Sequence, residues 1–131
     1  MRPEDQMPGT PEDWLRHARS DLALAQVRRE PAILVESLCF HAQQAAEKAI
    51  KAVLVSKGIA FPRTHNIRTL LDLLPADIIA PQEVTEASAL TDHAVLNRYP
   101  ANAEPVPEEE YLSAVATAQA VVDWADETIG R

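Results

Sequence analysis

Phe40-His41-Ala42-Gln43-Gln44-Ala45-Ala46-Glu47-Lys48 lies in the middle of a segment that reads as helix from about Ala32 to Lys57. No Gly or Pro interrupts that segment, and Gly58 follows it, the residue that most readily takes the left-handed turn ending a helix. Leu34, Leu38, Ala42, Ala45, Ala49 and Val53 recur along one side, and the small alanines among them let a neighbouring helix approach closely. This is the longest element the sequence offers, and the spacing makes it the central helix of an all-α domain.

Working outward, Thr10-Pro11-Glu12-Asp13 opens an earlier helix. Thr10 suits the cap, Pro11 the first position, and the two acids favour the positive end of the helix dipole. It is expected to run to about Val27, with Trp14, Ala18, Leu22 and Ala25 inward and Asp21 on the same stripe. A carboxylate is thus aimed at the core. After the central helix, Thr64 is read as the cap of a short helix bearing Ile67, Leu70, Leu71 and Leu74, closed by Pro75. A fourth helix should begin near Pro81 and stop before Pro100, with Val84, Ala87, Thr91, Ala94 and Val95 inward and Arg98 one turn further along that stripe. The Pro100–Pro107 segment, with three prolines, reads as a loop or an extended arm. Pro107 and Glu108-Glu109-Glu110 then start a last helix, whose seam is Tyr111, Val115, Ala118, Val122, Ala125 and Ile129. Five helices joined by short connections predict an antiparallel up-and-down helical bundle, four main helices plus one short helix.

The composition agrees. Hydrophobic residues at 47% and charged residues at 24% are globular proportions, which excludes disorder, and no apolar run approaches the ~20 residues of a membrane span. A length of 131 residues fits one domain. The start, Met1-Arg2-Pro3-Glu4-Asp5-Gln6, lacks the apolar stretch of a secretory signal, and the single cysteine, Cys39, cannot form an internal disulfide, so a cytoplasmic location is expected. The net charge of −8 conceals an asymmetry: residues 16–68 hold nine Lys/Arg against four Asp/Glu, and residues 69–131 hold two against twelve. An anion site should therefore draw on the first half.

Familiar catalytic and cofactor signatures are absent. The chain has no Gly-rich phosphate loop, no paired-Cys spacing, no His-Glu-x-x-His and no Gly-x-Ser-x-Gly, so neither a cofactor nor a metal is expected. At roughly 100° per residue, His41, Gln44 and Lys48 form a polar ridge along the border of the central helix's apolar stripe, with Lys51 beyond. Two hydrogen-bonding groups and a cation in a row can hold a phosphate or a carboxylate. The plainer reading is a solvated border. Asp21 requires a cation or donors, because an unpaired buried carboxylate costs several kcal/mol. Lys48, His65 and Arg98 are the candidates, in a structural clamp or in a site. His65 and Asn66, at the start of the short helix, read more readily as capping and loop residues than as ligands.

Trp14, Ala18 and Asp21-Leu22, then the Phe40–Lys48 stretch, Thr64-His65-Asn66-Ile67, Leu90-Thr91-Asp92 leading to Arg98-Tyr99-Pro100, and Trp124-Ala125 in the last helix resemble, in order and spacing, the HEPN domain family (higher eukaryotes and prokaryotes nucleotide-binding). The resemblance spans roughly residues 11–129, and makes residues 1–10 a flexible N-terminus ahead of a bundle domain over 11–131. It implies a homodimer with its functional cleft between protomers, working with a separately encoded minimal nucleotidyltransferase, in some cases as a toxin–antitoxin pair. Some relatives are metal-independent ribonuclease toxins, marked by an Arg, a polar residue, three further positions and a His. Here the position five after Arg98 is Ala103, and His17, His41, His65 and His93 are preceded at that distance by Glu12, Glu36, Ala60 and Ser88. The chain resembles instead the subgroup whose fourth helix ends in Arg-Tyr-Pro.

The resulting expectation is a non-catalytic, dimeric nucleotide- or partner-binding module, with no membrane role and RNA disfavoured as a ligand. His41, Gln44, Lys48, His65, Asn66, Arg98 and Tyr99 are its ligand-binding residues, and Asp21 is the carboxylate that organises them. Lys48 and Arg98 would meet phosphate oxygens and Tyr99 would stack on a base. Two alternatives stand beside it: a ribonuclease with a degenerate active site, in which His41 or His65 transfers the proton, and a purely structural interaction protein.

Overall fold

The computed structural model describes residues 9–93 and 106–130, the side chains of residues 91–93 excepted. Six helices fill these segments: α1 (Pro11–Ala25), α2 (Val35–Ser56), α3 (Ile67–Leu71), α4 (Gln82–Thr85), α5 (Ser88–His93) and α6 (Glu108–Ile129). No strand occurs among the described residues. The expected flexible start, through residue 8, lies outside them, as do the end of the fourth helix from Ala94 and the proline-bearing loop through residue 105.

α1 begins as its sequence dictates. The Thr10 hydroxyl accepts from the Asp13 amide at 3.1 Å, and an Asp13 carboxylate oxygen accepts from the Thr10 amide at 3.0 Å, a reciprocal capping box. The helix stops two residues short of the expected Val27, and Tyr111 of α6 donates its hydroxyl to the last carbonyl, that of Ala25, at 2.7 Å. α2 starts at Val35 rather than near Ala32, because Pro31–Ile33 close a turn in which the Ile33 amide donates to Glu30 O at 2.9 Å. Its end follows the sequence. Gly58 sits at φ +70°, its amide donates to Val55 O, and the Ile59 amide reaches back to Leu54 O, each at 3.0 Å.

α2 is the axis of the bundle. Ala42, Ala45, Ala46, Ala49, Ile50, Ala52, Val53 and Leu54 are all fully buried, so it is enclosed on nearly every side through its second half. α1 packs along one flank and α6 along another. Lys51 lies over Trp14 while Lys48 meets Asp21 further along α1, so α1 and α2 are antiparallel. Tyr111 meets the end of α1 and Asp126 is reached by Arg19 at 2.7 Å, so α6 also runs back along α1.

Further boundaries differ from expectation, and α3 ends at Leu71, short of Leu74 and Pro75. The cap of α3 is Asn66, whose side-chain oxygen accepts from the Thr69 amide at 3.2 Å, while the Thr64 hydroxyl only braces the Asn66 amide at 3.0 Å. The fourth helix comes as two pieces, α4 and α5. The Thr85 and Ser88 hydroxyls bond to the carbonyls of Gln82 and Thr85, and the Ala87, Ala89 and Leu90 amides bond three residues back, so a tight turn replaces continuous helix. Val84 and Ala87 face inward as expected, and Leu90, off the expected stripe, is buried with them. Trp124 of α6 ties down the approach to this pair by donating its indole N–H to Ile79 O at 3.3 Å.

Candidate functional site

Asp21 points inward from α1, its side chain only 10% exposed, and α2 supplies both of its partners. His41 and Lys48, two turns apart on α2, reach it from either side: His41 Nδ1 lies 2.9 Å from Oδ1, and Lys48 Nζ donates to Oδ2 at 2.6 Å. A carboxylate only accepts, so the contact requires a proton on His41 Nδ1. The Phe40 ring stands edge-on to His41 at 5.6 Å. Asp21 therefore contacts two of the side chains expected to bind a ligand, His41 and Lys48.

A second carboxylate cluster lies further along α2, and the sequence reading missed its centre. Glu47, with its side chain 2% exposed, accepts from Lys51 Nζ at 2.9 Å, has His65 Nδ1 at 3.2 Å from both oxygens, and has Gln44 Nε2 at 3.4 Å. The Lys51 ammonium also sits 5.6 Å from the Trp14 ring centre and 5.5 Å from that of Phe61, within reach of both aromatic faces. Gln44 and His65 thus gather on Glu47, not on the Asp21 group. The available signal was the i, i+4 spacing of Glu47 and Lys51 between buried alanines. Phe61 gave no signal, because it acts across a loop.

Asn66 is used as a helix cap, the plainer of its two readings. Arg98 and Tyr99 lie outside the described residues. Of the three partners weighed for Asp21, Lys48 takes the role, His65 pairs with Glu47, and His41 joins unannounced.

Two concavities open beside the Asp21 group. One, of about 440 Å³, is lined by Gly9, Asp13, Trp14, Arg16, His17 and Lys48, and the other, of about 340 Å³, by Glu36, Ser37, Phe40 and His41. Asp13, at the rim of the larger, is held below the usual carboxylate range first by the Thr10 backbone N–H, with help from its hydroxyl and from Arg16 and His17. Among the described residues no group of three His, Cys, Asp or Glu side chains could hold a metal ion, and none of the helices is long and apolar enough to cross a membrane.

A family model of the HEPN domain matches residues 11–128, nearly the whole chain. The chain belongs to the HEPN domain family. Its HEPN fold is shared with two solved structures. TT1696 from Thermus thermophilus is 31% identical, with 90% of this chain and 97% of that one covered and a TM-score of 0.75. ST0689, an archaeal HEPN homologue, is 25% identical, with 92% and 98% covered and a TM-score of 0.72. No curated protein matches the sequence. In this HEPN domain the Asp21 group joins α1 to α2, and both concavities open at its edge, one lined by Lys48 and the other by His41.

Proposed function

We propose that this HEPN domain is a non-catalytic, homodimeric module that binds a nucleotide or a partner protein, and that it works in the cytoplasm with a separately encoded minimal nucleotidyltransferase, in an arrangement of the toxin–antitoxin kind. The observation that supports the binding role is Asp21 holding Lys48 and His41 side by side at the edge of two open concavities. Anchored in this way, an ammonium with two further N–H donors and an imidazole edge meet a ligand without first being ordered. The non-catalytic role rests on the sequence, in which no Arg has a His five positions later. The partner rests on the family resemblance.

One contact favours a second reading. The Asp21–His41 pair has the geometry of a carboxylate-oriented general base, which a ribonuclease could use. Incubation with single-stranded and structured RNA in chelator separates the two. The binding reading expects intact RNA, whereas cleavage that disappears on His41→Ala replaces it with the enzyme.

Lys48→Ala tests whether the Asp21 group is a site or only a clamp. Lys48 is part-exposed and His41 remains on Asp21, so the loss in a binding site is about 1–2 kcal/mol, accompanied by weaker adenosine-nucleotide binding or weaker capture of the co-expressed nucleotidyltransferase. A loss of about 3–5 kcal/mol with binding unchanged assigns the group to architecture. Thermal melts with and without nucleotide read both quantities.

A further inference from the structure

Trp14, Arg16 and His17, on the first two turns of α1, belong to neither carboxylate's hydrogen-bonding set, yet with Lys48 they line the larger concavity. Lys48 Nζ gives one N–H to Asp21, and an ammonium carries three. Arg16 has a single described ion-pair contact, to Asp13 Oδ1 at 3.3 Å, long for a charge-assisted bond, with the two side chains 73% and 47% exposed. Such a pair is worth little and leaves the guanidinium fork free to turn. Asp13's other oxygen is engaged by the Thr10 amide. Among the described residues, the cleft thus holds more N–H donors of cationic type than acceptors to satisfy them.

A ligand that answers this wall must offer several anionic oxygens spread over a few ångströms, which is the chemistry of linked phosphoryl groups. The volume of about 440 Å³ is in the range of small-molecule sites and exceeds what one phosphate fills. The Trp14 ring supplies an apolar surface on one side.

We propose that the cleft between the start of α1 and Lys48 is an oligophosphate-binding site, with the Arg16 fork and the Lys48 ammonium on phosphoryl oxygens and His17 as the third donor. The proposal rests on the ligand-binding reading above and adds α1 residues to its phosphate contacts. Free oligophosphate and the tail of a nucleoside triphosphate share this chemistry, and Trp14 is the feature that would tell them apart.

Calorimetric titration of the full chain with inorganic triphosphate, adenosine triphosphate and adenosine tests it. Both triphosphate compounds are expected to bind and adenosine alone to fail. Affinity should fall as salt rises from about 0.1 to 1 M and charge screening tightens. The exposed pair Arg16→Ala/His17→Ala should weaken both compounds by about tenfold or more while leaving the melting temperature of the ligand-free protein unchanged. The single change Arg16→Gln keeps the test intact should the double variant misfold. Stronger binding of the nucleotide than of inorganic triphosphate, lost on Trp14→Leu, identifies the nucleotide as the source, and equal binding identifies free oligophosphate. Nucleotide binding abolished by His41→Ala but untouched by the Arg16/His17 changes overturns the cleft and leaves the nucleotide-binding reading standing. Absence of binding by either triphosphate compound overturns the cleft as well.

Discussion

Glu47 is an ionised group at the centre of the protein with its charge answered from three directions: Lys51 from its own helix, His65 from the start of α3, and the Gln44 amide. Lys51 in turn rests against Trp14 and Phe61. Removing one charge is therefore costlier than removing both. Glu47→Gln should destabilise the protein by about 3–5 kcal/mol in urea unfolding, because the Lys51 ammonium stays buried without its counter-ion, whereas Glu47→Leu with Lys51→Met should cost far less. A loss below about 1 kcal/mol for Glu47→Gln would mean that Lys51 swings out to water, as exposed pairs allow. The contrast with Asp21 explains what was legible at this scale. Asp21 falls on an apolar stripe between Ala18 and Ala25, so its phase alone announced a buried carboxylate in need of a partner, with Lys48 one of three candidates. Glu47 lies on the side of α2 away from that helix's alanine stripe, and His65, which meets it, comes from beyond Gly58. Periodicity within one helix carries no record of that. For the same reason His41 read as a ridge residue and not as Asp21's second partner.

At the level of helices, some ends set by local chemistry were readable, whereas the α2 start and the α3 cap, which are equally local, were placed a few residues off. Thr10 with Asp13, and Gly58 after α2, needed nothing beyond their neighbours. The division of the fourth helix depended on Thr85 and Ser88 hydroxyls finding carbonyls, and hydroxyls at such positions are compatible with an unbroken helix too. The end of α1 is a tertiary matter and yields a prediction. Tyr111 donates to Ala25 O, and burial, the main cause, pushes its phenol above the usual range. A folded-state pKa raised above the unfolded one of about 10 gives stability that is fully present below that pH and is lost as pH climbs through the folded value. Tyr111→Phe should cost about 1–2 kcal/mol at neutral pH, leaving a buried carbonyl without its partner, and should flatten the decline of stability above about pH 10. Denaturant midpoints on either side of that pH, at about 8 and about 10.5, measure the difference between the two proteins. An equally steep decline in the variant would remove Tyr111 as its cause.

For the whole molecule, a homodimer needs surface that the protomer leaves uncovered. The alanine face of α2 and much of the α6 seam are occupied inside the protomer: Ala42, Ala45, Ala49, Ala118 and Ala125 are fully buried. Leu24, Leu34, Phe40, Ile79 and Leu112 are among the large apolar side chains left exposed, and a second copy or another partner would have to cover some of them. Sedimentation at micromolar concentration should give about twice the 14.4 kDa chain mass, and a strictly monomeric species would take the homodimer out of the proposed function. Hydrogen exchange offers a further check on the architecture. Amides of residues 42–54 should exchange only through global unfolding, with those of α3 and α4 opening at lower free energy, because α2 is covered by both long neighbours and the short helices are not. That central placement has a consequence for biosynthesis. α6 is translated long after α2, so the growing chain carries an apolar helix whose second flank has no cover until the acidic start of α6 and the turns behind it leave the ribosome. An interval of this kind, with sticky surface displayed and its lid still unmade, is when a nascent chain is most open to capture by chaperones or by its neighbours on a polysome.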